Sequence, residues 1–218
     1  MSTTKRTLAE KLLSAQVAID NAISDVEIKA LLTDYGYDDV HLAEGKALLD
    51  SVNQLQQVQQ KEYGDQFEST NSLNSIWDSA YSEYMRFIKI SRVALKNELA
   101  ISQKLGLNGE RKSSFSGWLA QAKQFYFNAL ADATVLSKLS SFGITQAKLE
   151  AGKTLVEETE SKNAIQEKEK GEAQQATLER DNAADQLFEW VADFIVVAHI
   201  ALEGKPQLLE KLGIVQPS

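Results

Sequence analysis

The residues best suited to acid–base or metal chemistry in this 218-residue chain are two histidines, His41 and His199, since it contains no cysteine. The lack of cysteine excludes a disulfide framework, a thiolate zinc site and a cysteine nucleophile. A di-iron helical bundle needs a Glu-x-x-His pair on each of two helices. Position 38, before His41, is Asp, and position 196, before His199, is Val. We therefore predict neither a bound metal nor a cofactor, and we expect His41 at the surface.

His199 lies in the most apolar run of the chain, residues 194–202, so we expect its side chain to be at least partly buried. Arg92 stands at the corresponding place in the first half of the chain. One hypothesis is that Arg92 and His199 approach an internal two-fold axis and bind an anion or the carboxylate of a small molecule. The other is that each cation pairs with an acidic side chain of a neighbouring helix. We favour pairing, because a buried charge needs a partner and acids outnumber bases.

Two Asn–Asp pairs also recur at matching places. Asn21 and Asp25 in the first half correspond to Asn128 and Asp132 in the second. Residues four apart lie on one face of a helix. Such polar positions either form a hydrogen-bond network that fixes the helix register or line a polar site, and structural use is the favoured interpretation.

Known catalytic motifs are missing from the sequence. It contains no Gly-x-Ser-x-Gly nucleophile elbow. Gly45-Lys46 and Gly152-Lys153 lack the first glycine and the preceding strand of a phosphate-binding loop. A glycine inside a helix costs about 1 kcal/mol relative to alanine. We interpret the recurring glycines as places of close helix approach or bending, and we predict that the protein is not an enzyme.

The second half of the chain repeats the first half. Residues 8–107 align without a gap with residues 115–214, and 24 of the 100 aligned pairs are identical. The matches include the Gly-Lys pairs and a Lys-Leu-Gly that closes each half. We predict two helical repeats, 1–107 and 115–218, which are joined by a short polar linker at 108–114 and share one core about a pseudo-twofold axis.

The first helix of each repeat has a regular apolar stripe. In the first repeat the stripe runs from Leu8 to Ala30 with the three- and four-residue spacing of a helix face. Gly36 suits the left-handed turn that follows, and Asp38 suits the N-cap of the next helix. Gly143 and Thr145 occupy these places in the second repeat.

The middle of each repeat is polar, which predicts a helical hairpin that leaves the core. Its tip turns near Gly64 in the first repeat and near Gly171 in the second, and projects into solvent. With a third helix that ends at the Lys-Leu-Gly, each repeat has three helices. The predicted fold is an all-α bundle of six helices, each roughly 35–45 Å long at 1.5 Å per residue.

Composition and charge narrow the classes of partner. The chain has 23 basic and 31 acidic residues and a net charge of −8, which speaks against nucleic-acid binding. Its longest apolar run is far shorter than the roughly 20 residues that span a bilayer, and no apolar signal segment begins the chain. We predict an acidic, soluble, cytoplasmic protein without a membrane partner.

Several motifs together suggest a relationship. They are the aromatic-Gly turn at Tyr35-Gly36, the Leu-x-x-Gly-Lys motif, the polar stretch through Thr177 and Asp181, Trp190-x-x-Asp-Phe and the closing Leu-Gly-Ile. In these the chain resembles an uncharacterised group of bacterial all-helical proteins. The resemblance implies a bacterial source and an all-α fold, and it implies no activity.

Two functions lead, and an unrecognised enzyme is the third alternative. The leading interpretation is a non-enzymatic interaction or structural protein with a protein partner or as a homodimer. Aromatic residues surround one predicted helix, so part of that helix should face a partner helix or subunit; they are Trp118, Phe125, Tyr126 and Phe127. The alternative is a helical bundle that binds a small molecule or anion through Arg92 and His199.

Overall fold

All regular secondary structure in the described part of the chain is α-helical. The computed structural model describes residues 6–214, which contain eight helices and no strand. In chain order the helices are α1 (Leu8–Ser24), α2 (Val26–Thr33), α3 (Asp39–Ala94), α4 (Leu99–Lys104), α5 (Phe115–Leu130), α6 (Ala133–Ser140), α7 (Gln146–Ala201) and α8 (Pro206–Lys211). The predicted all-α class is confirmed. The described residues form eight helices where six were predicted, and the helix boundaries differ.

The first difference is a break in the first helix of each half. The apolar stripe continues past Asp25, but α1 ends at Ser24 and Asp25 starts α2 as its N-cap. Asp132 does the same for α6. An aspartate whose side chain accepts backbone N–H groups favours a helix start over a helix interior, and this local preference overrides the continuing stripe.

The second difference is that the predicted hairpin tips do not exist. Gly64 lies inside α3 and Gly171 lies inside α7, and each of these helices has 56 residues. At 1.5 Å per residue each is about 84 Å long, twice the expected length. The neighbouring Gln, Glu and Lys residues are good helix formers, and they outweigh a single glycine that costs about 1 kcal/mol.

The third difference is at the end of each half, where the long helix stops before the Lys-Leu-Gly. It ends at Ala94 in the first half and at Ala201 in the second, and a separate six-residue helix follows. Pro206 stands at the first turn of α8, where its missing N–H needs no partner.

The predicted turns after the first helices are confirmed. Gly36 has a φ of +90°, a left-handed conformation that favours glycine. The backbone N–H of Tyr37 donates to the Leu32 carbonyl at 3.1 Å, as in a Schellman C-cap. Asp38 then accepts the backbone N–H of Val40 at 3.0 Å. The second half repeats these contacts at Gly143 and Thr145.

Packing divides the chain into two compact units. Unit 2 is Tyr63–Gly171, and unit 1 comprises the described residues before and after it. Unit 1 therefore contains α1, α2, the start of α3, the end of α7, and α8. Unit 2 contains the end of α3, α4, α5, α6 and the start of α7. The units do not follow the repeats predicted from the sequence, and those repeats stay a prediction.

Each unit has its own apolar core. In unit 1 the buried side chains form two clusters, which include Leu12, Ile19, Leu49 and Leu187 in one and Ile28, Leu32, Phe194 and Leu202 in the other. In unit 2 they form one larger cluster rich in aromatic rings, which includes Tyr84, Phe87, Trp118, Phe125 and Tyr126. Apolar side chains of α3 and α7 contribute to the cores of both units.

The recurring glycines lie where an aromatic ring presses on a helix backbone. A Cβ atom on Gly45 of α3 would overlap the indole ring of Trp190 on α7 in unit 1. A Cβ atom on Gly152 of α7 would lie 2.5 Å from the hydroxyl of Tyr126 on α5 in unit 2. The prediction of close approach at these glycines is confirmed.

Candidate functional site

The Asn21–Asp25 pair lies where three helix ends meet in unit 1. Asn21 Nδ2 donates to the carbonyl of Lys211, the last residue of α8, at 2.6 Å. Lys211 Nζ donates to Asp25 Oδ2 at 2.7 Å. Asp25 Oδ1 accepts the backbone N–H of Ile28 at 3.2 Å and so caps α2. We call Asn21, Asp25 and Lys211 the unit 1 helix-end cluster.

The Asn128–Asp132 pair forms the same arrangement in unit 2. Asn128 Nδ2 donates to the Lys104 carbonyl at the end of α4, at 3.0 Å. Lys104 Nζ donates to Asp132 Oδ2 at 3.3 Å. Asp132 Oδ1 accepts the backbone N–H of Val135 at 3.3 Å. We call Asn128, Asp132 and Lys104 the unit 2 helix-end cluster.

The expectation that each pair shares one helix face is wrong. The helix ends between Asn and Asp, and the two side chains reach the same short helix from either side of that break. The lysine completes each cluster because its carbonyl accepts from Asn while its ammonium donates to Asp. Each cluster thus joins the end of a long-range partner helix to the start of a local one.

Hydrogen bonds and charge shift the pKa of Asp25, Asp132 and Lys211. The Lys211 ammonium, followed by the Ile28 backbone N–H, lowers the pKa of Asp25. The Val135 backbone N–H, followed by Lys104, lowers the pKa of Asp132. The Asp25 carboxylate in turn raises the pKa of Lys211.

We expect protonation of these aspartates in acid to lower the stability of the protein. A carboxyl with a lowered folded-state pKa stabilises the fold above its unfolded pKa of about 3.9, and this contribution is lost as the pH falls through the folded value. Replacing both Asp25 and Asp132 by Asn keeps a capping oxygen and removes the titrating group. The urea midpoint of this variant should fall less between pH 7 and pH 2.5 than that of the unchanged protein.

Asp78 and Asp185 provide the matched control for the acid experiment. They also occupy corresponding places in the two halves, and both are exposed. Asp78→Asn with Asp185→Asn removes the same number of carboxyl groups. The fall of its urea midpoint between pH 7 and pH 2.5, here called the acid slope, should equal that of the unchanged protein. Equal slopes for the two double variants would contradict the role assigned to the helix-end clusters.

Arg92 is exposed on α3 in unit 2 and binds backbone carbonyls. Its Nε donates to the Leu107 carbonyl at 2.8 Å and its Nη2 to the Gly109 carbonyl at 3.1 Å. The guanidinium therefore holds the chain that leaves α4. Neither of these two partners is an acidic side chain, so the favoured expectation of a carboxylate partner is not met by these contacts.

His199 is exposed, so the expectation of partial burial is wrong. Within its apolar run, Phe194, Ala198 and Leu202 face the core of unit 1 and His199 points away from it. A helix rotates by about 100° per residue, so a run of apolar residues does not bury every member. Arg92 belongs to unit 2 and His199 to unit 1. The anion site that combines them stays a prediction.

His41 is half-buried among aromatic rings, contrary to the expected surface position. Its ring centroid lies 4.3 Å from that of Tyr37 and 5.9 Å from that of Trp190. Trp190 stacks on Phe194 with an interplanar angle of 8°. This aromatic cluster packs the start of α3 against the end of α7 in unit 1.

An open groove lies between α5 and α7 in unit 2, and Phe127 forms one wall. The groove has a volume of about 480 Å³, and Tyr126 and Val156 supply further apolar lining. Phe127 is 70% exposed. At the rim, Lys123 Nζ lies 2.6 Å from Glu160 Oε1 and Lys153 Nζ lies 3.4 Å from Glu157 Oε1. We call these residues the Phe127 groove.

The sequence carried a signal for this groove in its aligned positions. Asp20 stands where the second half has Phe127. In unit 1, Lys46 Nζ lies 2.9 Å from Asp20 Oδ1. Lys153 occupies the place of Lys46 in unit 2, and an aromatic side chain replaces that acidic partner. The exchange of an acid for an exposed aromatic residue marks the groove.

Comparison with protein-family models, with curated proteins and with solved structures gave no match. Among residues 6–214, no helix combines the length and apolar character that crossing a membrane requires.

Proposed function

We propose that this protein is a non-enzymatic helical interaction module that self-associates through the Phe127 groove. The observation that carries the proposal is the exposure of Phe127 beside an open apolar groove. Burial of an aromatic side chain of this size contributes about 1.5–3 kcal/mol. An exposed apolar side chain next to a concave surface is typical of a protein interface.

The charges at the rim favour a second copy of the chain as the partner. Two lysines, Lys123 and Lys153, pair with two glutamates, Glu160 and Glu157, so the rim is neutral although the chain carries −8. A two-fold interface brings each patch against itself. A mixed rim allows lysines of one copy to face glutamates of the other, whereas most of this acidic surface would repel itself.

We further propose that the chain arose by duplication of a four-helix repeat. Helices α1 to α4 have 17, 8, 56 and 6 residues, and α5 to α8 have 16, 8, 56 and 6. The two helix-end clusters also correspond. Each cluster combines Asn and Asp from one half with Lys from the other, so under this proposal each unit borrows the end of the opposite repeat. The composition and the resemblance support a cytoplasmic bacterial protein.

The test is the self-association of the full chain. In sedimentation velocity over a concentration series, we expect the unchanged protein to form dimers and Phe127→Ser to dissociate them. The dimer dissociation constant should rise by at least about a hundredfold, because a two-fold interface loses the aromatic contact in both copies.

Phe67→Ser is the matched control, because Phe67 is also 70% exposed in unit 2 and lies outside the groove. It should leave the dimer unchanged. The proposal fails if the protein stays monomeric at every concentration, or if Phe67→Ser weakens the dimer as much as Phe127→Ser. Circular dichroism of each variant checks that the helices are intact.

A further inference from the structure

A second groove, in unit 1, combines an apolar floor with a basic rim. It lies between α1, the end of α7 and the residues 212–214 that follow α8, and has a volume of about 480 Å³. Such a volume falls within the range of small-molecule sites. Ala15, Ala18, Val191 and Ile195 are among its apolar lining residues. Its charged lining residues are Arg6 and Lys11. We call it the Lys11 groove.

The ammonium of Lys11 is held at this groove. Its Nζ lies 5.1 Å from the ring centroid of Phe188, which also lines the groove. Among residues 6–214, no carboxylate oxygen lies within 4 Å of Lys11 Nζ. The nearest acid along the helix, Glu10, is engaged elsewhere, since its Oε2 accepts the backbone N–H of Thr7 at 2.7 Å. Within this part of the chain, the Lys11 ammonium therefore faces the groove without a carboxylate partner.

Unit 2 carries larger, aromatic side chains at the positions that align with this groove. In the alignment of the two halves, Trp118 corresponds to Lys11, Phe125 to Ala18 and Tyr84 to Val191. The three aromatic side chains are each no more than 1% exposed in the core of unit 2. Ala18 and Val191 are smaller than the aligned Phe125 and Tyr84, and both line the open groove of unit 1.

We propose that the Lys11 groove binds a free fatty-acid anion, with the alkyl chain on the apolar floor and the carboxylate at Lys11 and Arg6. Alkyl burial supplies a non-directional contribution that grows with chain length. The basic rim selects for an anionic head group, because a charge-assisted hydrogen bond to a carboxylate is stronger than a neutral one. This proposal does not depend on the self-association through the Phe127 groove, which lies in the other unit.

The test is isothermal titration of the full chain with decanoate, kept below its micellar concentration. We expect one decanoate per chain and weaker binding of octanoate. Decylammonium has the same alkyl chain and the opposite charge, and should bind at least about tenfold more weakly. Equal affinity for decanoate and decylammonium overturns the proposal, as does the absence of saturable one-to-one binding.

Two variants assign the site to the groove. Lys11→Glu reverses the charge at the rim and should weaken decanoate binding by at least about tenfold. Val191→Phe narrows the floor with a side chain close in size to that of Tyr84, and should also weaken binding. Lys162→Glu changes the net charge equally at an exposed position in unit 2 and should leave affinity unchanged. Unchanged binding in Lys11→Glu overturns the proposal even if Val191→Phe fails to fold.

Vesicles separate the free anion from a lipid surface. The full chain is sedimented with phosphatidylglycerol vesicles and, separately, titrated with decanoate. Decanoate binding without co-sedimentation supports the proposal. Co-sedimentation without decanoate binding overturns it, because the basic rim then recognises a membrane and the groove does not take a single chain.

Discussion

Gly152→Ala is expected to lower the free energy of unfolding by about 1–3 kcal/mol, although alanine is the better helix former. The new Cβ would lie 2.5 Å from the hydroxyl of Tyr126 and 2.6 Å from its Cε1. Tyr126 is 1% exposed and its ring centroid lies 5.2 Å from that of Phe125, so the ring cannot retract without displacing the core. Urea unfolding of the full chain measures the change.

Gly171→Ala is the control on the same helix, because a Cβ at Gly171 meets nothing within 4 Å. It should raise the free energy of unfolding by about 1 kcal/mol. The double variant Gly152→Ala with Tyr126→Leu should be less destabilised than the sum of the two single changes, since Leu removes the ring that the new Cβ meets. Additive effects would contradict the contact between Gly152 and Tyr126. A destabilising Gly171→Ala would contradict an uninterrupted α7.

Trp118→Ala is expected to cost about 3–5 kcal/mol of stability, because it removes a large buried ring and leaves a cavity that the core cannot fill. Trp118 is 1% exposed. Its ring centroid lies 5.9 Å from those of Trp77 and Phe115, so the truncation opens the centre of the unit 2 core. The loss is measured as the shift of the urea midpoint at constant slope.

Lys11→Ala provides the matched control, because Lys11 occupies the aligned position in the first half and is exposed. Lys11 contacts the Phe188 ring and is otherwise exposed, so the cost should stay below about 1 kcal/mol. Equal effects of the two truncations would contradict the inference that the two units pack differently at this position. They would also contradict the explanation of why the Lys11 groove is open.

The Tyr126 ring is held in the unit 2 core by ring packing and not by a hydrogen bond of its hydroxyl. Among the described residues the hydroxyl has no hydrogen-bond partner. Burial is the first cause that raises the pKa of Tyr126, so the group stays protonated. An unpaired buried hydroxyl costs free energy. The cost is tolerated here because the ring itself fills the space above Gly152 and backs the Phe127 groove.

Local chemistry is the part of this fold that the sequence determined. Glycine at positions 36 and 143 and a capping side chain at positions 38 and 145 act within a few residues, and the structure shows the predicted turns there. The helical class follows from the three- and four-residue spacing of apolar side chains. Close approach at Gly45 and Gly152 could also be predicted. A glycine inside a helix is less stable than alanine, so its recurrence indicates a place with no room for a Cβ atom.

Whether α3 and α7 continue or turn could not be predicted from their middle glycines. Gly64 and Gly171 in polar surroundings suit either outcome, since a surface glycine in a helix costs only about 1 kcal/mol. The neighbouring Gln, Glu and Lys residues are good helix formers and offset that cost. The division into units depends on partners far along the chain, because Asn21 meets Lys211 and Asn128 meets Lys104 only after folding.

The candidate sites show the same limit. The types of residue at the Phe127 and Lys11 grooves are readable in the sequence as mismatches between the two halves: Phe127 for Asp20, and Lys11 for Trp118. Which mismatch opens a groove depends on how side chains from other helices fill the space around it. The sequence determined the helices and their caps because those depend on neighbours within four residues. Tertiary structure alone decided burial and open volume, because these depend on side chains brought together from distant parts of the chain.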